Sequence, residues 1–98
     1  METPQLKVIK RYERTGDLYY TQGLLFKDSN TLIESAGLYG ESRLHFVNLD
    51  DMNVKSSVDL SKDFFAEGCT MITNSNGDKE IYQLTWREGK MLFYKIKI

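Results

Sequence analysis

Short runs of β-branched and aromatic residues, each bounded by a polar cluster, recur along the chain, and no window carries a sustained apolar stripe at helical spacing. The pattern predicts an all-β protein. Leu6 to Tyr12 is the first candidate strand, followed by the turn Thr15-Gly16-Asp17. Thr21 to Phe26, Thr31 to Ala36, Arg43 to Leu49 and Val54 to Leu60 continue the series. Their links, Lys27-Asp28-Ser29-Asn30, Gly37-Leu38-Tyr39-Gly40 and Asp50-Asp51-Met52-Asn53, place glycine, asparagine and aspartate where the backbone has to reverse. Glu67 to Thr73, Glu80 to Trp86 and Lys90 to Ile98 complete it, the first two joined through the hairpin signal Asn74-Ser75-Asn76-Gly77-Asp78. Alternation is sharpest at the end of the chain. Tyr82, Leu84 and Trp86 share one face opposite Ile81, Gln83 and Thr85. Leu92, Tyr94, Ile96 and Ile98 lie opposite Met91, Phe93, Lys95 and Lys97, whose lysines would guard a sheet edge.

The two halves of this series align with each other. Thr21-Gln22-Gly23-Leu24 matches Ala66-Glu67-Gly68-Cys69 at a shift of 45, Thr31 to Ser35 matches Glu80 to Leu84 at 49, and Leu44 to Val47 matches Met91 to Tyr94 at 47. About four strands per unit at this spacing is the period of a β-propeller blade, which gives a first blade over 21–60 and a second over 67–98. Two sheets of this size could equally pack face to face as a small sandwich. Two blades cannot close a ring, which takes at least about four. On the propeller reading the chain is therefore a single partial domain, residues 1–98, with an incomplete ring.

Composition narrows the chemistry. Ninety-eight residues suffice for one small domain, and 13 Lys and Arg against 14 Asp and Glu leave a charge of −1, with no net field toward nucleic acid or an anionic membrane. The longest apolar run, Met91 to Tyr94, is far below the roughly 18 residues of a membrane span, and Met1-Glu2-Thr3-Pro4 starts no signal peptide. One cysteine, Cys69, makes no internal disulfide, and together with the lone His45 it cannot complete a zinc site, so neither metal nor cofactor is expected. His45, inside Leu44-His45-Phe46-Val47, reads as a hydrogen-bonded structural histidine, and Cys69 as a small buried hydrophobe.

Four strings are distinctive: Thr21-Gln22-Gly23-Leu24, Glu34-Ser35-Ala36-Gly37-Leu38-Tyr39-Gly40-Glu41-Ser42, Ala66-Glu67-Gly68-Cys69-Thr70 and Tyr82-Gln83-Leu84-Thr85-Trp86. In order and spacing they resemble the plant and bacterial type of glutaminyl-peptide cyclotransferase (glutamine cyclotransferase, glutaminyl cyclase). That family's motifs read T-Q-G-L, E-S-x-G-L-Y-G-x-S, F-x-E-G-x-T and Y-Q-L-T-W. The resemblance spans essentially the whole chain and less than half of a family member. It favours the propeller over the sandwich, and it implies a five-bladed ring of which this chain would hold about two blades. In that ring the Leu6 to Tyr12 strand would join the last blade.

The resemblance also implies an activity. The free α-amine of an N-terminal glutamine attacks its own side-chain carboxamide, ammonia leaves, and pyroglutamate forms without a metal. Such a cyclisation needs an amine freed of its proton, a polarised carbonyl, and a proton for the departing nitrogen. By resemblance Glu67 is the general acid/base, and Gln22 and Trp86 bind the substrate. The glutamine offers both donor and acceptor, and the indole walls the pocket against water. Gly23 and Gly68 would let the backbone turn tightly beneath these side chains. Glu34, Ser35, Tyr39 and Ser42 are expected to fix the loop between strands, and Gln83 to bond a neighbouring blade.

Departures from the family pattern are small: Tyr20 stands where phenylalanine is usual, Ala66 replaces a glycine, and the Asn74 to Lys79 loop lengthens one gap. None removes a reacting group. The asparagine, lysine and further tryptophans that the family draws from later blades have no counterpart, so the isolated chain is expected to be inactive or nearly so and to self-associate through uncovered blades. The expected partner is a peptide or protein with an N-terminal glutamine, and neither nucleic acid nor a membrane. The family is usually secreted or periplasmic, whereas the chain itself specifies no compartment. The alternative reading is a non-catalytic truncated propeller acting as a binding or self-assembly module.

Overall fold

Every predicted strand from Thr21 onward forms. The computed structural model describes residues 3–14, 16 and 18–96. Its strands are β1 (Thr21–Asp28), β2 (Thr31–Ala36), β3 (Arg43–Asn48), β4 (Val54–Asp59), β5 (Ala66–Thr73), β6 (Lys79–Thr85) and β7 (Met91–Lys95), and no helix forms among the described residues. They make two antiparallel sheets, ordered β1-β2-β3-β4 and β5-β6-β7, so each strand pairs with its neighbour in sequence. The turns follow from their residues. Gly77 sits at φ +85° between β5 and β6, where the Asn74 side chain accepts the amides of Asn76 at 2.9 Å and Asp78 at 3.0 Å.

Leu6 to Tyr12 is not a strand. Leu6, Val8 and Ile9 are exposed, Leu6 at 99%. A strand has to satisfy its backbone N–H and C=O groups on a neighbour, which each of the seven strands finds in a segment adjacent to it along the chain. Nothing among the described residues pairs with this one. Of the predicted turn after it, Thr15 and Asp17 lie outside the described residues, as do Lys97 and Ile98 of the predicted last strand. Lys95 does stand exposed on the edge strand β7.

The two sheets stack face to face. Period-two alternation puts Leu25, Ile33 and Phe46 in one cross-strand row of the first sheet and Met71, Ile81 and Tyr94 in one row of the second. These rows meet around the buried Ile33, Leu44 and Ile81, with Cys69 and Ile96 packed against them. Each fully buried aliphatic side chain contributes about 1.5–3 kcal/mol. Burial pushes the Cys69 thiol up to about 11, in keeping with its reading as a small hydrophobe. The outer face of the second sheet is bare: Leu84, Met91 and Phe93 are 51%, 57% and 48% exposed, and the Tyr82 and Phe93 rings lie side by side at 5.1 Å.

Two glycines set how near the sheets come. A Cβ on Gly23 would stand 2.9 Å from the Cys69 amide nitrogen and 3.1 Å from the Gly68 Cα, and one on Gly37 would meet the Phe65 ring at 2.6 Å and the Ala66 carbonyl at 2.8 Å. Gly23 thus serves a close strand-to-strand approach, whereas the sequence suggested a tight turn. Gly68 faces open space. Gly23→Ala is therefore expected to destabilise the fold by about 1–3 kcal/mol, because backbone cannot yield as a flexible side chain does. Gly68→Ala should be neutral or slightly stabilising. Urea denaturation of both checks this, and equal effects would refute it.

Candidate functional site

Gln22 and Glu67 occupy equivalent irregularities. In β1 the register steps from Thr21↔Ala36 to Gly23↔Ser35, so Gln22 is one residue too many for its partner strand. In β5 it steps from Ala66↔Thr85 to Cys69↔Gln83, so Glu67 and Gly68 together oppose Leu84. Each is a β-bulge, a device that bends a strand and re-aims a side chain away from strict alternation. The two bulges lie side by side, since Gly23 abuts Gly68 and Cys69. The Ser35 hydroxyl on β2 donates to the Glu67 carbonyl across the gap. Both side chains are half-buried.

Trp86 arrives at the same end of the sheets. It follows Thr85, the partner of Ala66, and its amide donates to the Phe65 carbonyl at 2.9 Å. Its indole, about half exposed, packs edge-on to the Phe65 ring at 5.4 Å under the Arg87 guanidinium at 4.0 Å. Phe65 is the hub of this cluster, touching Tyr20 at 6.0 Å and Tyr39 at 5.4 Å as well. Glu88 fixes the hub from below, accepting the Phe65 amide at 3.0 Å and the Tyr39 hydroxyl at 2.8 Å. The Phe65 amide bond holds the Glu88 carboxyl below its usual range. A cavity of about 620 Å³, lined by Lys27, Asp78, Lys79 and Lys95 among others, opens at the opposite end and touches none of these groups.

An amide and a carboxyl carried on adjacent bulges, at the end of the sheets that holds an aromatic cluster, coincide with the most distinctive strings of the sequence, and comparison with known proteins gives them a family. The model of the glutamine cyclotransferase family matches residues 1–97. The chain belongs to the glutamine cyclotransferase family. It is similar to a glutaminyl-peptide cyclotransferase of Arabidopsis thaliana, 28% identical over 93 residues, which cover 95% of this chain and 27% of the plant protein. The chain thus spans about a quarter of the length of that curated relative.

The remaining residues of the glutamine cyclotransferase strings divide into two jobs. Tyr39 and Ser42 hold the loop after β2 as expected: Ser42 donates to the Leu38 carbonyl at 2.8 Å and accepts the Ala66 amide at 2.9 Å. Glu34 and Ser35 do not belong to that loop but to β2 itself, with their side chains on opposite faces of it. Ser35 and Gln83 bridge the sheets, Gln83 donating to the Ser35 hydroxyl at 2.8 Å.

Glu34, 2% exposed in its side chain, accepts Arg14 at 2.9 and 3.2 Å, His45 Nε2 at 2.5 Å and the Thr21 hydroxyl. His45 is the structural histidine that its apolar setting suggested. It is packed edge-on to Tyr19 at 4.5 Å, and Arg14 and Arg43 lie over that same ring at 5.5 and 5.1 Å. The two glutamates therefore differ in kind. Glu34 is saturated by three donors, whereas among the described residues the Glu67 carboxyl is engaged by none. Phe65 and Glu88 escaped the sequence reading. The phenylalanine two residues ahead of Glu67 in F-x-E-G-x-T was the available signal, whereas nothing local marks Glu88.

Burial alone would raise the Glu34 carboxyl, but the hydrogen bonds from His45, Arg14 and Thr21 outweigh it and bring it down to about 2. Because the folded chain binds this proton less readily than the unfolded one, the cluster stabilises fully above pH about 4.5, and the contribution is lost as pH falls toward 2. Glu34→Ala leaves Arg14 buried without its counter-charge and should cost about 3–5 kcal/mol. Urea midpoints measured from pH 2 to 7 should rise with pH over the lower half of that range in the parent and flatten in Glu34→Gln. A parallel rise in the variant would count against the assignment.

Proposed function

We propose that this chain carries the acid/base part of a glutaminyl-peptide cyclotransferase acting on peptides or proteins with an N-terminal glutamine, its two sheets being blades of a five-bladed β-propeller. The observation that carries the proposal is the pair of adjacent bulges presenting Gln22 and Glu67 at one end of the stacked sheets, inside the family's own strings. Blade one then comprises residues 21–60 and blade two residues 67–98.

The chemistry follows from the groups present. The substrate's α-amine sheds its ammonium proton to solvent on entry, and Glu67 as carboxylate takes a further proton from the nitrogen as it attacks. The freed nitrogen attacks the carboxamide carbon and closes a five-membered ring, with negative charge gathering on the former carbonyl oxygen. Glu67 returns the proton to the side-chain nitrogen, the C–N bond to it breaks, and ammonia leaves as the ring carbonyl re-forms. One carboxyl thus serves as base and then as acid. Gln22 beside it offers N–H to an oxygen or C=O to an amine. Trp86 and Phe65 supply an apolar wall that excludes water from the attack. No step of this scheme calls for a metal.

The test is a chimera in which this chain replaces the aligned quarter of the Arabidopsis relative, assayed by ammonia release from a Gln-initiated dipeptide with a chelator present. The chimera should turn over, and Glu67→Gln should lower kcat about 10²–10⁴-fold, the usual worth of a positioned acid/base. Trp86→Ala should raise KM more than it lowers kcat. A folded Glu67→Gln chimera as active as its parent would overturn the proposal.

A second reading, a blade pair acting as a binding or self-assembly module, is favoured by one observation, the bare row of Leu84, Met91 and Phe93. Monomers are rarely found with extended apolar patches open to water. On this reading light scattering of the purified chain should show oligomers that Leu84→Lys with Phe93→Lys disperses. A monomeric parent would remove it.

A further inference from the structure

Ser35 lies on β2, in the sheet that does not contain Glu67, and is fully buried. It joins a chain of hydrogen bonds whose direction is fixed at every link. The Arg43 carbonyl can only accept, so the Gln83 group 3.3 Å from it is the amide Nε2. Gln83 Oε1 then faces the Tyr94 hydroxyl at 2.7 Å and accepts its proton. Burial pushes that hydroxyl up to about 12, so it keeps the proton to donate. The second hydrogen on Gln83 Nε2 goes to the Ser35 oxygen at 2.8 Å. Ser35, already accepting there, directs its single hydrogen at the Glu67 carbonyl, which can only accept.

The relay ends at the point where β5 most needs it. A bulge interrupts the ladder of its own sheet, and a backbone carbonyl left there would otherwise lack a partner. The Glu67 peptide unit is therefore held from the opposite sheet by Ser35, which Gln83 of β6, also fully buried, aligns in turn. Cooperative alignment strengthens such chains and makes their members act together. None of the relay side chains reaches the carboxyl itself. Their lever on it is the peptide unit from which it projects.

We propose that Ser35, aligned by Gln83 and Tyr94, is a positioning residue that sets the direction of the Glu67 carboxyl by anchoring the bulge beneath it. This rests on the reading of Glu67 as the acid/base. An acid/base group displaced by a fraction of an ångström loses rate while the substrate's other contacts persist. Loss of the anchor is therefore read in kcat and leaves KM in place.

In the chimera, Ser35→Ala should lower kcat about 10–100-fold with KM within about twofold, at a temperature where melting curves show both proteins folded. Tyr94→Phe removes one oxygen at the half-buried far end of the relay without emptying a core position. It should lower kcat about two- to fivefold, again without a change in KM. It decides the matter if Ser35→Ala does not fold. In the full 98-residue chain, amide exchange at Gly68 and Cys69 should quicken at least tenfold in the same variants relative to amides of β3. Folded variants with unchanged kcat, or with kcat and KM altered only in proportion to protein unfolded, would overturn the proposal. A parent chimera whose activity survives Glu67→Gln would instead refute the function on which it rests, and the exchange result would still report on the anchor.

Discussion

The missing Cβ at Gly23 is the constraint on which the rest depends. Strands in stacked sheets ordinarily stand apart by the width of two side chains, about 10 Å. At Gly23 that spacing collapses until β1 and β5 meet backbone to backbone beside Gly68 and Cys69. The collapse brings the bulge of one sheet against the bulge of the other, lets a side chain as short as Ser35 span the gap to a peptide carbonyl, and leaves Gln22 and Glu67 neighbours although 45 residues separate them. Any side chain at that point would wedge the sheets apart at the end where the candidate chemistry lies. The apolar rows around Ile33 and Ile81 could tolerate such a shift far better than the polar bridge could.

Polar groups specify this interior as much as apolar ones. Glu34, His45, Ser35 and Gln83 are each almost wholly buried, on the two faces of the first sheet and the inner face of the second. Every one would be costly to bury alone. Each finds a partner on a different element: Glu34 on the segment before β1, on β1 and on β3, and Gln83 on β2, β3 and β7. A one-residue slip of register would break several of these bonds at once while leaving much of the hydrophobic contact in place. The network thus selects one register where apolar packing alone would admit neighbours.

The strands were legible because each is closed by residues that the turn itself demands, such as Asn74 and Gly77, and because each finds its partner next in sequence. Leu6 to Tyr12 has the same alternation and no partner among the described residues, and alternation describes one strand's faces without saying what pairs with it. The placement of Gln22 and Glu67 at corresponding positions was visible in the repeat. That both are bulge residues was not, since a bulge is a mismatch between two strands and neither sequence alone displays it. Glu34 and Ser35 were read with the loop because their string runs on into Gly37-Leu38-Tyr39-Gly40, although the strand ends only at Ala36. Glu88 is 23 residues beyond the amide that it holds, a separation with no local trace.

The repeated bulge has a chemical corollary. Two halves of one chain present, at matching points of matching backbone, a glutamine and a glutamate, side chains of the same length and nearly the same shape. Only one of them carries an ionisable group. A single scaffold feature, used twice, therefore presents an amide in one copy and a carboxyl in the other. The asymmetry of the site resides in one atom, nitrogen in place of oxygen.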